Sequence, residues 1–145
     1  MARNNNGFTL LEVLLSVSII GMVVAVSMPV YVGMLTKNDL DVAAATVAQS
    51  IRRAAIRSQG VDGDTGWGVK VQNGASTIFK GNTFASRDTA FDETTSVSPN
   101  ITVSGLSEII LTKFTGVPVA TGTLTLATGH DTATISVNAQ GTVSY

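Results

Sequence analysis

The chain has 145 residues, a formal net charge of -1 and only 13% charged side chains. That length suits one ordinary domain with an appendage, and the missing basic excess excludes a general nucleic-acid binder working by bulk charge. Cysteine is absent, which excludes disulfide staples, thiolate nucleophiles and cysteine metal sites and leaves stability to burial and hydrogen bonding.

The first seven residues, MARNNNG, are polar and carry Arg3, which favours keeping this end on the cytoplasmic side of a membrane. Residues 8–35 then read FTLLEVLLSVSIIGMVVAVSMPVYVGML, with Glu12 the only charged side chain. The run exceeds the ~20 apolar residues that span a bilayer as a helix. It is also too long for the apolar region of an ordinary secretory signal, which runs ~7 to 15 residues. A carboxylate inside such a stretch costs roughly 2.5 to 3.5 kcal/mol on insertion scales, so Glu12 needs a functional reason.

Gly7-Phe8-Thr9-Leu10-Leu11-Glu12, followed by the unbroken apolar run, resembles the class III signal of type IV pilins and type II secretion pseudopilins. The resemblance implies a leader of residues 1–7, cut between Gly7 and Phe8 by a prepilin peptidase that then methylates the amine of Phe8. It also implies that Glu12 sets register by pairing with the N-terminus of a neighbouring subunit. Residues 8–35 would then be a transmembrane helix that later packs in a filament core. Gly21 and Pro29 also resemble family positions, and both weaken a helix locally, so they are candidates for flexibility; the alternative is simple tolerance of these residues in a membrane helix.

Beyond a polar stretch at Thr36-Lys37-Asn38-Asp39, apolar or small residues recur at Leu40, Ala44, Val47, Ile51, Ala54 and Ser58. This spacing predicts an amphipathic helix over residues 36–60 with a narrow stripe that packs on the domain downstream. Asn38 and Asp39 either cap a new helix or lie on the exposed side of a continuous one; the resemblance implies one long helix. Arg52, Arg53 and Arg57 lie toward another side and suit a helix C-terminus, with solvation as their ordinary use and DNA or acidic groups of neighbouring subunits as two others. Gly60 is the expected terminator.

Residues 61–145 change to short Val, Ile, Thr and Phe runs between Gly, Asn and Asp, which predicts antiparallel sheet. Residues 67–71 and 77–80 flank Asn73-Gly74, a hairpin signal in which both central residues favour positive φ. Further strands are expected at residues 101–103, 109–114, 123–127, 134–137 and 142–145, the last two joined by a turn at residues 138–141. Residues 82–99 are polar and unpatterned and are expected to form a long surface loop. Ile135 and Val137 alternate with Thr and Ser, so one face should be buried on the helix.

The early hairpin with Trp67 and the closing I-x-V-x3-G-x-V at residues 135–143 resemble, less specifically, the GspH/FimT minor pseudopilins and minor pilins. The expected fold is therefore α+β and pilin-like: a long N-terminal helix, transmembrane in its first half, packed on a C-terminal antiparallel β-sheet domain.

His130 is the only histidine, and neither a nucleophile-base pair nor a metal site can be assembled from recognisable spacing. No enzyme, cofactor or metal is expected. Asn100-Ile101-Thr102 fits a general glycosylation pattern, although sheet propensity accounts for the threonines. The implied partners are prepilin peptidase, other pilin or pseudopilin subunits, an inner-membrane assembly platform and, before assembly, membrane lipid. The implied place is the inner membrane with the C-terminal domain outside the cytoplasm, and then a periplasmic or surface filament. Secretion pseudopilus and surface pilus both remain open. The rivals are a DNA-binding minor pilin of a competence pilus and a membrane-anchored β domain that never polymerises.

Overall fold

The computed structural model describes residues 7–129 and 131–145. Arg3 and His130 lie outside the described residues. Two compact units divide the chain between Thr36 and Lys37, and one helix, α1 (Leu10–Gln59), contributes to both. No break occurs at residues 36–41, so Asn38 and Asp39 are exposed positions of a continuous helix and cap no new start.

Within the second unit, every member of the expected stripe is buried: Leu40, Ala44, Val47, Ile51, Ala54 and Ser58. Ala43 and Ala48 widen it, and with only a methyl group at four of these positions the sheet side chains can approach the helix backbone closely. A buried aliphatic side chain contributes about 1.5 to 3 kcal/mol by leaving water, so Val47 and Ile51 anchor the face and the alanines set its spacing. The helix ends where Gly60 was expected to end it. The left-handed residue that redirects the chain is Val61, however (φ 55°), just before a short 3-10 turn at Asp62–Asp64.

Eight strands follow: β1 (Trp67–Gln72), β2 (Ala75–Lys80), β3 (Asp88–Ser96), β4 (Thr102–Gly105), β5 (Glu108–Leu111), β6 (Gly122–Ala127), β7 (Thr132–Val137) and β8 (Val143–Ser144). They form two antiparallel sheets, in the orders β3-β2-β1-β5 and β4-β6-β7-β8. Trp67, Val69, Val71, Ile78, Ile109 and Leu111 of the first sheet share one apolar core with Leu124, Leu126, Ile135, Val137 and Val143 of the second and with the stripe of α1. The expected burial of Ile135 and Val137 is thereby met. The chain passes between the sheets three times, from β3 to β4, β4 to β5 and β5 to β6; the second passage is made at Gly105, whose φ of 80° would strain a residue with a side chain and whose missing Cβ makes room for the Thr123 carbonyl.

The β1–β2 hairpin turns at Asn73-Gly74 as expected, but only Gly74 has positive φ (85°). Tertiary bonds fix this turn instead: Asn73 Oδ1 accepts the Val103 N–H at 3.1 Å, and the Gly74 carbonyl accepts the Val97 N–H at 3.0 Å. The turn at residues 138–141 is also present, with Asn138 Oδ1 accepting the N–H groups of Gln140 and Thr142.

Two expectations fail. The segment 82–99 is not a plain loop, because it contains the nine-residue β3, which pairs with β2 across a register shift between Ile78 and Lys80. Lying at the sheet edge, β3 is mostly exposed and lacks an apolar period. The strand expected over 109–114 stops at Leu111, since Thr112 turns the chain by accepting the Gly116 N–H, and Phe114 sits exposed with φ 71°. On the outer face of the first sheet Phe79 is buried over Gly68, where a Cβ would come within 2.4 Å of its ring. Phe84 covers it edge to face at 5.4 Å, held by Arg87, which lies over the Phe84 ring and pairs with Asp92.

The register Ile78↔Glu93 puts Glu93 of β3 on the helix side of the sheet. There it pairs with Arg53 at 2.8 Å and with Arg57, while the Arg57 guanidinium lies 4.6 Å over the Trp67 ring. Arg52 donates to the Val143 carbonyl at 3.2 Å and lies near the Tyr145 ring. So the three arginines, read from sequence mainly as solvent-facing, are tied to their own β domain. The hydrogen bond from Arg57 holds the Glu93 carboxyl below its usual range, partial burial opposes this, and the charges of Arg57 and Arg53 add to the lowering.

Ser58 joins the helix end to two neighbouring strands of the first sheet, β1 and β5. Its hydroxyl accepts the Trp67 N–H at 2.9 Å and donates to the Leu111 carbonyl at 3.3 Å, and its carbonyl accepts the Phe114 N–H at 3.0 Å. Replacing a fully buried, bonded hydroxyl by hydrogen leaves its partners less satisfied, so Ser58→Ala is expected to cost about 1 to 3 kcal/mol in urea unfolding. Because the folded-state pKa of Glu93 is lowered, its contribution is present above the ordinary carboxylate range and is lost as pH falls through the lowered value. Its side chain is 40% exposed and screened, so Glu93→Gln should lower stability by at most about 1 kcal/mol at neutral pH. The two proteins should converge in melting temperature on acidification.

Candidate processing and assembly site

The candidate site begins where the helix starts. Thr9 Oγ1 accepts the Glu12 N–H at 3.2 Å and the Thr9 carbonyl accepts the Val13 N–H at 3.2 Å. Thr9 is thus the N-cap of α1, satisfying one of the amide donors that the first turn leaves without a helical acceptor. Gly7 and Phe8 precede the cap and are exposed and non-helical. Glu12 sits in the first turn, where the positive end of the helix dipole favours a carboxylate. Among the described residues that carboxylate has no hydrogen-bond or ion-pair partner.

All described side chains of residues 10–35 are exposed. At 1.5 Å per residue these residues measure about 39 Å, more than the ~30 Å of a bilayer's hydrocarbon core, and α1 is long and apolar enough to cross a membrane. The serine hydroxyls of this stretch, and Thr36 just beyond it, are satisfied inside the helix. Ser16, Ser18, Ser27 and Thr36 each donate to the carbonyl four residues earlier, at 2.8, 2.8, 2.7 and 2.6 Å. Such back-bonding removes hydroxyl donors that hydrocarbon would leave unpaired. Glu12 therefore stands out as the single side chain of the stretch whose charge the helix itself does not answer.

Gly21 and Pro29 both lie within α1, and a Cβ added at Gly21 would meet open space. Pro29 has no N–H to give to the carbonyl of Ala25, so one helical bond is missing there. Gly7 and Phe8 precede α1 and Glu12 lies in its first turn, whereas Arg52, Arg53 and Arg57 belong to the second unit and its internal pairs.

Three residues with clear work in the structure were not singled out by reading the sequence. Thr9 had a usable signal, because Thr-x-x-Glu directly before an apolar run is the pattern of a helix start. Ser58 was read only as a small residue of the stripe. Glu93 was hidden in a segment without apolar periodicity, and its pairing with α1 depends on a strand register that no local pattern reports.

Residues 2–28 match the family model described as the prokaryotic N-terminal methylation motif. No curated protein and no solved structure matches the chain. The motif spans the candidate cleavage bond, the cap and Glu12, and its apolar portion coincides with the exposed part of α1. The chain carries the class III signal, which is consistent with a type IV pilin or pseudopilin.

Proposed function

We propose that this chain is a structural subunit of a pilin-like filament, either a type II secretion pseudopilus or a type IV pilus. The observation that carries the reading is the methylation motif at the start of α1, whose residues 10–35 are apolar and exposed and whose one charge in that stretch, Glu12, has no hydrogen-bond or ion-pair partner among the described residues. Prepilin peptidase cuts between Gly7 and Phe8 and methylates the Phe8 amine. The helix holds the subunit in the inner membrane, with the β domain outside the cytoplasm, until an assembly platform moves it into the filament. There the apolar face exchanges lipid for neighbouring helices, and Glu12 pairs with the Phe8 amine of an adjacent subunit, since a buried charge is tolerable when paired. Gly21 and Pro29 supply points where the helix bends as it packs.

Within that class the closing hairpin of β7 and β8 and the Trp67 hairpin support placement beside the minor pseudopilins. A DNA-binding reading would rest on Arg52, Arg53 and Arg57, all of which have partners in the chain's own β domain, so no second reading is advanced.

Coexpression with a prepilin peptidase, followed by intact mass and N-terminal sequencing, tests the proposal. A mature chain beginning at N-methylated Phe8 is expected, with Gly7→Val left uncut and Glu12→Ala cut but recovered in membranes instead of sheared filaments. An intact Met1 start for the unmodified sequence would reduce the protein to an anchored β domain.

A further inference from the structure

We infer that Thr9 is a positioning residue for processing: its hydroxyl fixes the start of α1 so that the Gly7–Phe8 peptide bond is kept outside the helix, just ahead of a closed first turn. This inference rests on the proposed cleavage at that bond.

Five hydroxyl side chains occur between residues 9 and 36 whose bonds are described, and four of them behave alike. Ser16, Ser18, Ser27 and Thr36 point backward and donate to the carbonyl of the preceding turn. Thr9 does the opposite and accepts from the amide of Glu12, three residues ahead. Its carbonyl already takes part in the helix by accepting the Val13 N–H, yet the regular helix begins only at Leu10. That combination defines an N-cap, a residue whose own backbone is not helical. One consequence is local: the residues before it, Phe8 and Gly7, are excluded from the helix, and Phe8 is 83% exposed. A Cβ at Gly7 would meet nothing within 4 Å, so both sides of the bond are open to an approaching enzyme.

The chemistry gives this geometry its value. Hydrolysis adds water across the Gly7–Phe8 amide: the hydroxyl joins the Gly7 carbonyl carbon, the C–N bond breaks, and the proton leaves with the Phe8 amine. An amide drawn into a helix has its carbonyl bonded along the axis and its faces covered by neighbouring turns, so water and a catalytic group reach it poorly. An apolar helix in a membrane tends to propagate, because every backbone group there must find an internal partner. The Thr9 cap supplies that partner at a fixed position and stops propagation two residues after the cut. Without it, the start of the helix spreads over several registers, some covering the bond and some unravelling the turn that carries Glu12. The fraction of molecules that present an uncovered bond before an intact first turn then falls.

The test compares initial cleavage rates of the full-length chain and of Thr9→Ser, Thr9→Asn and Thr9→Val in membranes containing prepilin peptidase. Ser and Asn retain a capping oxygen, while Val keeps the shape of Thr and loses it. The expected result is near-normal cutting of the Ser and Asn variants and about a fivefold fall for Val, the factor by which a cap of ordinary strength moves a helix-start equilibrium. Amide hydrogen exchange at Glu12 and Val13 of the uncut chain in detergent micelles should accelerate by a similar factor in the Val variant alone. Normal cutting of Thr9→Val, or equal slowing of all three variants, would overturn the inference, the second outcome assigning Thr9 to direct side-chain recognition. If the unmodified chain is not cut after Gly7, the processing proposal falls, and unchanged exchange in Thr9→Val would sink the cap as well.

Discussion

The small-residue face of α1 is the constraint on which the second unit depends. Ala43, Ala44, Ala48 and Ala54 are buried on it, and no larger side chain at those positions would leave the two sheets sharing one core with the same helix. Both sheets are short, with strands of two to nine residues, and neither could close a core alone. The helix face supplies the common wall. Ser58 then converts packing into registration, because a directional hydrogen bond to the start of β1 and another to the end of β5 fix where the sheet sits along the helix. Hydrophobic burial is nondirectional, so a buried hydroxyl with two backbone partners gives positional information that the alanines lack.

The same helix is helical for two different reasons along its length. In residues 37–59 the apolar stripe repeats every three or four residues and one face is covered by the protein itself. In residues 10–35 no face is covered, nearly every position is apolar, and the hydroxyls are turned inward on the backbone. Such a surface is unsuited to water and suited to hydrocarbon or to other helices of the same kind. The methylation motif falls wholly within this uncovered part and the residues leading to it.

How much of this was legible in the sequence depended on the range of the interactions involved. Gly7, Phe8 and Glu12 form a linear motif, and the helix stripe is a period, so both could be read directly. The β1–β2 hairpin was found from Asn73-Gly74, but the reason given for it was incomplete: Asn73 contributes through its side chain to β4, not through positive φ. β3 escaped notice because an edge strand with neither face well buried has no alternation to detect. The division into two sheets is equally hidden, since it follows from changes of sheet at the three connections from β3 to β6 and not from the strands' own composition.

That charged edge strand also bears on assembly. β3 leaves one edge of the first sheet unpaired, and an unpaired edge invites strands from other copies. Here the edge carries Asp88, Asp92 and Glu93, and its pairing with β2 shifts register near Lys80. A second copy approaching strand to strand would bring like charges together on an irregular ladder. Glu93 is at the same time drawn inward to Arg53 and Arg57 and Asp92 is paired with Arg87, so the strand is fastened to its own helix and loop, and Asp88 is the carboxylate of the edge without a salt bridge among the described residues. The arginines at the end of α1 thus serve the helix and the strand together.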